Sequence, residues 1–398
     1  MDSPWSNSDT LSIANGMVRL SKEILDFEKY IAPTESETRK RSEAQKTVKD
    51  FIRKALPEEY TIEVFGSHVT TLTFPSSDID FNIQFKYPVV KPTPVIKCKL
   101  DNGVSVDITV QNPAPSSDRT IAWIKQYPEL KPLFMVLKQA LSSFRVNHKK
   151  NFEPLSAKFS GLASFGLICL IVSYLQMHKP TDKSSNDPDY YACLLLGFLD
   201  YYSTFDASKY IICVKDKGRY YSMDEETSLI KVNYEEGKLF VINPDEPERN
   251  VCGALSCFDV LQSLFKYASN SLKARIENNK KPKSVLSSII VVQPHKYGEP
   301  RNELDDFQSE YIYISRIGQA TDYSANNRSQ KRQRQDEDDY DGKSVYNRDK
   351  RTKTTYSSKK YYDDKKYRDD EEYYPREYRR PSYRRSYGDN YNNKHVRF

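Results

Sequence analysis

The most constraining feature of this chain is the strict alternation of polar and apolar residues from Asp78 to Phe85. Successive side chains of a β-strand point to opposite faces, so the alternation predicts a strand with one polar and one apolar face. The apolar face carries Ile79, Phe81, Ile83 and Phe85, and the polar face carries Asp78, Asp80, Asn82 and Gln84. Strand rise places the Cα atoms of Asp78 and Asp80 about 6.5–7 Å apart. The strand must rest on a core and present two carboxylates on its other face.

Three further strands complete a small predicted sheet. Residues 61–65 form one strand, and residues 95–100 and 104–110 form two more that are joined by the turn at 101–103. Alternation in the last strand puts Val106 on its apolar face and Asp107 on its polar face. The sheet therefore brings a third carboxylate toward the first two.

Helical periodicity dominates the remainder of the first 300 residues. The first helix carries Leu20, Ile24, Phe27 and Ile31, and we expect it to end near Pro33. Thr34 and Glu37 form a capping box that begins a second helix. Helical patterns then cover residues 121–178, 190–202 and 255–276, with short strands at 210–214 and 238–242. We predict a mixed α/β fold in which a small mixed sheet packs on a mostly helical domain.

The last 77 residues, 322–398, differ from the rest in composition. They contain no Leu, Ile or Trp but 13 of the 30 tyrosines, with 21 basic and 15 acidic residues. Such a segment cannot bury enough apolar area to offset its ordering entropy, which predicts a disordered tail. The whole formal excess of +6 lies in this tail. Interleaved Arg and Tyr can grip phosphates and stack on bases, so the tail is either an RNA-holding arm or a solvated appendage.

Three carboxylates at one end of a sheet indicate a metal site. Asp78, Asp80 and Asp107 would repel one another unless divalent cations neutralised them. Such a ligand set is typical of two-metal sites that clamp the attacking and leaving oxygens of an in-line displacement. The alternative is a solvated polar strand face. The six cysteines and five histidines show no zinc-ligand spacing, so we expect no zinc site.

The residues before this strand favour the metal site over the solvated face. Phe65 ends a predicted strand, Gly66 permits close backbone approach, and Ser67 adds a hydroxyl. Free amides with a hydroxyl at such a turn form a cradle for a phosphate oxygen, although an ordinary Gly-Ser turn has the same sequence. Ten residues separate Ser67 from Asp78. A strand, a Gly-Ser turn, an Asp-x-Asp strand and a third aspartate form a specific constellation.

The segments FGSHVTTLTFPSSDIDFNI and GVSVDITVQN resemble the catalytic core of DNA polymerase β-like nucleotidyltransferases. The chain looks more closely like the noncanonical poly(A) polymerases of nuclear RNA surveillance, the catalytic subunits of TRAMP-type complexes. That similarity runs from about residue 17 to residue 276 and includes VLKQAL, GLASFGLICLIVSYLQMH and INPDEPERNV.

The resemblance implies a role for eleven residues. Asp78, Asp80 and Asp107 would be catalytic and would bind Mg²⁺, with Mn²⁺ as an alternative. The nucleotide-binding residues would be Gly66, Ser67, Asn112, Lys138, Ser164, Phe165, Arg249 and Asn250. Lys138 could instead be an exposed helix lysine, and Phe165, where the family commonly has a base-stacking Tyr, could be a core aromatic residue.

The resemblance also implies domains and a function. The nucleotidyltransferase catalytic domain would span 33–121, and the helical central domain 1–32 and 122–300. Residues 301–398 would form a linker and the disordered tail. The function implied is template-independent addition of adenylates from ATP to an RNA 3′ end; the alternatives are a terminal uridylyltransferase and a catalytically silent scaffold that binds RNA or protein.

Partners follow from what the chain lacks. It has no recognisable RNA-recognition fold or zinc knuckle, so the resemblance implies a zinc-knuckle RNA-binding protein and a helicase as partners. The basic run 328–334 and the resemblance predict a nuclear location. The N-terminus has no signal-peptide pattern, and the most apolar run, 162–175, is shorter than a membrane span, so we expect no membrane partner.

Overall fold

The computed structural model describes residues 3–56, 59–86, 95–111, 115–146, 152–222, 238–278, 283–292 and 312–314. The predicted disordered tail and Asn112 lie outside these residues, and so does the basic run at 328–334.

Three helices begin the chain: α1 (Ser8–Ser12), α2 (Gly16–Ile31) and α3 (Glu35–Ala55). The apolar stripe of α2 is fully buried, as its periodicity predicts. The predicted capping box is confirmed, because Glu37 N donates to Thr34 Oγ1 at 3.2 Å and Thr34 N donates to the Glu37 carboxylate at 2.8 Å. These two bonds fix the start of α3.

The sheet contains the four predicted strands: β1 (Tyr60–Phe65), β2 (Ile79–Phe85), β3 (Ile96–Lys99) and β4 (Ser105–Val110). Their order is β1-β2-β4-β3, with β2 and β4 parallel and the other two pairs antiparallel. The apolar face packs on α3, forming a core of Ala44, Val48, Ile52, Ile79, Phe81, Ile83, Val104, Val106 and Ile108. The polar face is not fully solvated, because Asn82 is 1% exposed beside its cross-strand partner Thr109.

A larger core joins α2 to the helices that follow the sheet. After the single turn α4 (Ser67–Thr70), these helices are α5 (Pro115–Gln126), α6 (Leu130–Ser143), α7 (Ser164–Met177), α8 (Tyr190–Ser203) and α9 (Phe258–Glu277). Helix α8 packs on α9 and α2, and α2 packs on α6. The fold is therefore the predicted small mixed sheet with a mostly helical part. The domain boundaries at 33–121 and 122–300 stay predictions.

The predicted helical stretch 121–178 is divided into three helices. It begins earlier, at Pro115, since proline suits the first turn of a helix. It is interrupted between Ser143 and Ser164 by β5 (Phe144–Val146) and, in the described residues 152–163, by turns and one short 3-10 helix (Ala157–Phe159). Gly161 lies against the backbone of Glu153 in the same segment. A Cβ at Gly161 would overlap the Glu153 carbonyl oxygen, so this close approach requires glycine.

Short strands complete the described structure. The predicted strands are present as β6 (Tyr210–Cys213) and β8 (Val241–Ile242), and an unpredicted β7 (Arg219–Ser222) pairs with β6 on its other side. Strand β5 pairs in parallel with β9 (Ile312–Ile314), far along the chain. None of the helices described here combines the length and apolar character needed to cross a membrane.

Candidate active site

A cleft of about 510 Å³ opens at the end of the sheet where β1 finishes and β2 begins. Its walls come from both parts of the fold, including the turn after β1, the start of β2, and helices α5, α6 and α7. Seven of the predicted site residues line it: Gly66, Ser67, Asp78, Asp80, Lys138, Ser164 and Phe165. Its volume is in the range of ligand-binding clefts.

Gly66 allows β1 and β2 to approach closely at the cleft. Its φ of +71° is a conformation that side chains rarely adopt, and a Cβ would overlap Asp80 Oδ2. The predicted free amide is not free here, because Gly66 N donates to Ser117 Oγ on α5 at 2.9 Å. The turn is thereby tied to α5, and the Ser67 hydroxyl remains at the cleft wall.

The three predicted carboxylates lie close enough to affect one another. Asp78 directly precedes β2, Asp80 lies in β2, and Asp107 is the cross-strand partner of Asp80. Burial, together with the charges of Asp107 and Asp78, raises the pKa of Asp80 to about 6. Burial and Asp107 likewise raise the pKa of Asp78. This end of the sheet therefore carries negative charge that the fold itself does not neutralise well.

The carboxylates differ in what holds them. Among the described residues, no hydrogen bond to the Asp78 or Asp80 side chain is found. Asp107 instead accepts a hydrogen bond from Lys97 Nζ of β3, whose pKa that bond raises, and the Lys97 side chain is 69% exposed.

The side chains of Asp78 and Asp80 suit a hard divalent cation. Mg²⁺ and Mn²⁺ prefer oxygen ligands, and the carboxylate oxygens of these two residues accept no hydrogen bond from the described protein. Within the part of the chain that the structure describes, however, no three His, Cys, Asp or Glu side chains converge as ligands of one ion. The third carboxylate, Asp107, is bonded to Lys97 instead. The participation of Asp107 in a metal site thus stays a prediction.

Lys138 supplies positive charge to the same cleft. It lies on α6, with Nζ 4.8 Å from the ring centroid of Phe74 and 5.5 Å from that of Phe134. Burial lowers its pKa to about 8, while Asp80 and Asp78 act against that shift. The structure thus favours the cleft position over the exposed-helix alternative. An ammonium group here can bind a polyphosphate that approaches the carboxylates.

Ser164 and Phe165 begin α7 at the cleft wall. The Phe165 ring stacks on Trp123 of α5, with 6.1 Å between centroids and 17° between planes. Phe165 is partly buried against the helical core and also lines the cleft, so it combines features of both alternatives left open by the sequence.

The loop carrying Arg249 and Asn250 lies outside this cleft lining. The Asn250 side chain joins its loop to the residues at β8: it accepts hydrogen bonds from Val241 N and Cys252 N and donates one to Leu239 O. Arg249 is 68% exposed and pairs with Glu246 at 2.6 Å. Nucleotide contacts by either residue stay predictions.

Sequence reasoning missed several residues that shape the cleft. Arg119 of α5 pairs with Asp245, which ties the 243–253 loop to the cleft wall. Polar side chains that also line the cleft are Ser76, Ser77, Ser116, Ser117, Thr120, Gln139 and Ser142. Pro115 followed by two serines was an available signal for a helix start at the site. The Arg119–Asp245 pair had no signal, since 126 residues separate its members.

Comparison with known proteins identifies relatives of this chain. A family described as "Poly(A) RNA polymerase, mitochondrial-like, central palm domain" matches residues 20–93, and one described as "Cid1 family poly A polymerase" matches residues 191–249. The first match covers most of α2, all of α3, and β1 and β2 with Asp78 and Asp80. The second covers α8 from its second residue and extends to residue 249.

Curated relatives agree with these matches. An inactive non-canonical poly(A) RNA polymerase protein, Trf4-2 of Drosophila melanogaster, is 28% identical over 62% of this chain and 67% of its own length. Poly(A) RNA polymerase protein 2 of Saccharomyces cerevisiae is 24% identical over 73% of this chain. The chain spans 54% of that yeast protein.

A solved structure shows the same fold. The polymerase core of TRAMP, described as an RNA surveillance complex, superposes with a TM-score of 0.60 at 21% identity, covering 73% of this chain and 99% of that chain. Family models and curated relatives therefore agree with each other, and the solved structure agrees with them in fold. The chain is similar to the noncanonical poly(A) RNA polymerases.

Proposed function

We propose that this protein transfers adenylates from ATP to the 3′ end of RNA without a template. The observation that carries the proposal is the cleft in which Asp78 and Asp80, free of protein hydrogen bonds in the described structure, face Lys138 beside the Gly66-Ser67 turn. A pair of open carboxylates next to a buried ammonium group suits cations and a polyphosphate together.

Each residue of the cleft has a distinct task in this proposal. Asp78 and Asp80, with Asp107, would hold a divalent cation, Mg²⁺ or Mn²⁺, which supplies electrostatic stabilisation of the displaced phosphate when bound. Lys138 and the Ser67 hydroxyl bind triphosphate oxygens. With a pKa of about 8, Lys138 is mostly protonated at pH 7 and donates to those oxygens. Asp107 helps to take the proton of the primer 3′-hydroxyl.

We propose that the helical wall of the cleft binds the sugar and base of the nucleotide. The Ser164 hydroxyl contacts the phosphates or sugar, and Asn112 contacts the ribose. Phe165 offers a ring face to the base while Trp123 supports the ring from α5. The Trp123 support keeps the Phe165 ring in one orientation, which lowers the entropic cost of stacking.

We infer ATP as the preferred nucleotide, with UTP as the rival. Uridylyl-specific relatives have a histidine before the Asn-Val pair of the recognition loop, where this chain has Arg249. Arg249 pairs with Glu246 and extends into solvent, which leaves room for a purine. Asn250 holds the loop in shape through its three hydrogen bonds.

A catalytically silent scaffold is the remaining alternative, since one relative is named as inactive. Silence usually follows the loss of a carboxylate from the site. This chain retains Asp78, Asp80 and Asp107, together with Lys138. We therefore rank an active enzyme first.

The setting of the activity is also a proposal. A nuclear location, a zinc-knuckle RNA-binding partner and a helicase partner are proposed from the family and from the similarity to the TRAMP core. The basic, tyrosine-rich residues 322–398 are proposed to add RNA affinity that does not depend on sequence.

The test is extension of a labelled oligo-RNA by the purified full chain with Mg²⁺ and each nucleoside triphosphate separately. We expect extension with ATP, at a kcat/KM above that for UTP on the same primer. A higher kcat/KM for UTP would reassign the nucleotide and leave the mechanism intact. No extension with any nucleotide would identify the silent scaffold.

A further inference from the structure

Arg41 is a buried arginine beside the cleft that the proposed mechanism does not use. It lies on the inner side of α3 and is 3% exposed. Its Nη2 donates to three backbone carbonyl oxygens: Phe74 O at 3.1 Å, Pro75 O at 3.0 Å and Ser77 O at 2.8 Å. A single nitrogen atom thus binds three carbonyl oxygens of one short segment.

The segment bound by Arg41, residues 74–77, is a tight turn that leads directly into Asp78. Ser77 N donates to Phe74 O at 3.0 Å, and Phe74 N donates to Ser77 Oγ at 2.9 Å. Just before the turn, Thr73 Oγ1 donates to Ser67 O at 2.8 Å. The turn is therefore connected to the Gly-Ser segment on one side and to the first carboxylate on the other.

Stability alone does not explain an arginine at this position. The other inward residues of α3 in the core of the sheet are Ala44, Val48 and Ile52, which need no polar partner. Burial of a guanidinium is costly unless charge and hydrogen bonds compensate it. Burial lowers the pKa of Arg41, and the negative charges of Glu37 and Asp78 act against that shift. The buried charge is therefore compensated by the 74–77 carbonyl oxygens and by two nearby carboxylates, one of which is Asp78.

We propose that Arg41 is a positioning residue that holds the 74–77 turn so that Asp78 can bind a divalent cation together with Asp80. The inference rests on the proposed function, because it assigns a support to that metal site. Arg41 acts on the cation through the backbone of the turn and its charge, and does not touch the substrate. Supports of this kind typically change metal affinity or activity by 10- to 100-fold when they are removed.

The test compares three variants of the full chain. Arg41→Met removes the donors and charge while keeping similar bulk, and Arg41→Lys keeps the charge and part of the donor capacity. Arg19→Met is the matched control, because Arg19 is an equally buried arginine, 1% exposed, on α2 and away from the cleft lining. Each variant is measured for thermal unfolding, Mn²⁺ affinity by electron paramagnetic resonance without nucleotide, and kcat and RNA KM for extension.

We expect Arg41→Met to weaken Mn²⁺ binding by about tenfold and to lower kcat by about 10- to 100-fold, with RNA KM little changed. Arg41→Lys should recover a large part of both losses. Arg19→Met should lose stability but keep the Mn²⁺ affinity of the wild type. If Arg41→Met fails to fold, the same comparison is made between Arg41→Lys and wild type, where a several-fold loss of Mn²⁺ affinity is expected.

Two results would overturn the proposal and are separable from failure of the proposed function. One is wild-type Mn²⁺ affinity in a folded Arg41→Met protein. The other is an equal loss in Arg41→Met and Arg19→Met, which would make Arg41 a merely structural residue. A wild-type chain that extends no RNA refutes the proposed function, while the Mn²⁺ measurements still decide the role of Arg41.

Discussion

Asp80 and Glu23 are two carboxyl groups that the fold buries in opposite ways. Glu23, on α2, is completely buried and accepts hydrogen bonds from Ser284 Oγ at 2.9 Å, Val285 N at 3.1 Å and Leu286 N at 2.7 Å. Burial raises the pKa of Glu23 to about 7, against the effect of these donors. Asp80 has a pKa of about 6, raised by burial and by neighbouring carboxylates.

The difference separates a structural carboxyl group from one that we propose to be functional. Both oxygens of Glu23 are engaged by the segment that follows α9, so this group joins the N-terminal helix to the distant residues 284–286. Asp80 faces a cleft beside Asp78 and has no hydrogen bond from the described protein. A raised pKa is shared by both carboxyl groups and does not by itself indicate a metal site. What distinguishes Asp80 is that it lies beside other carboxylates without a hydrogen bond from the described protein.

Asp80 and Glu23 should differ most in how their substitution changes the catalytic rate. Asp80→Ala should lower kcat for RNA extension by more than about 1000-fold, because it removes a ligand needed only for the chemistry. Glu23→Gln should leave kcat within about twofold at temperatures where both proteins are folded. The measurement is single-turnover extension with saturating ATP. Near-normal extension by a well-folded Asp80→Ala protein would refute the metal-site account.

Glu23 should also make the stability of the folded protein depend on pH. The folded-state pKa of Glu23 lies above its ordinary value of 4.5, so the folded protein binds the additional proton and loses stability as pH rises from about 4.5 to 7. Between pH 5 and pH 8 the wild type should lose about 2 to 3 kcal/mol relative to Glu23→Gln. Urea unfolding of both proteins at the two pH values measures this difference. Parallel pH curves for the two proteins would show that the three donors keep Glu23 ionised.

The smallest effect is relief of repulsion at Asp80. Its raised pKa means that ionisation above pH 6 costs stability, so Asp80→Asn should stabilise the metal-free protein at pH 7.5 by about 1 kcal/mol after allowance for solvent screening. Added Mg²⁺ should reduce or reverse the gap, because only the wild type gains binding energy. Thermal unfolding with and without EDTA checks both statements. A destabilised Asp80→Asn protein would contradict the account of crowded carboxylates.

Local patterns predicted those parts of the fold that depend on neighbours in sequence. The periodicity of α2, the capping box of α3 and the alternation of β2 and β4 each reflect interactions within one element. The pairing of β5 with β9 was not predictable, because it joins residues about 170 positions apart. The helical stretch 121–178 was predicted without this interruption, although residues 147–161 are largely polar.

The location of the candidate site was predictable from the sequence, but the residues that support it were not. Gly66, Asp80 and Lys138 meet at one cleft, as expected from the motif and the resemblance. Arg41 was missed because an arginine in an amphipathic helix normally indicates an exposed face. The Gly66 amide was expected to be free, and only the tertiary packing of α5 shows that Ser117 accepts its hydrogen bond.

The role of Asp78 and Asp80 as metal ligands is measured by calorimetric titration of Mg²⁺ into the full chain with a non-hydrolysable ATP analogue. We expect saturable Mg²⁺ binding by wild type and by Glu23→Gln, and a loss of about 10-fold or more in affinity for Asp80→Asn. Equal Mg²⁺ affinity in Asp80→Asn and wild type would contradict this role, because the open carboxylates would then not be the ligands.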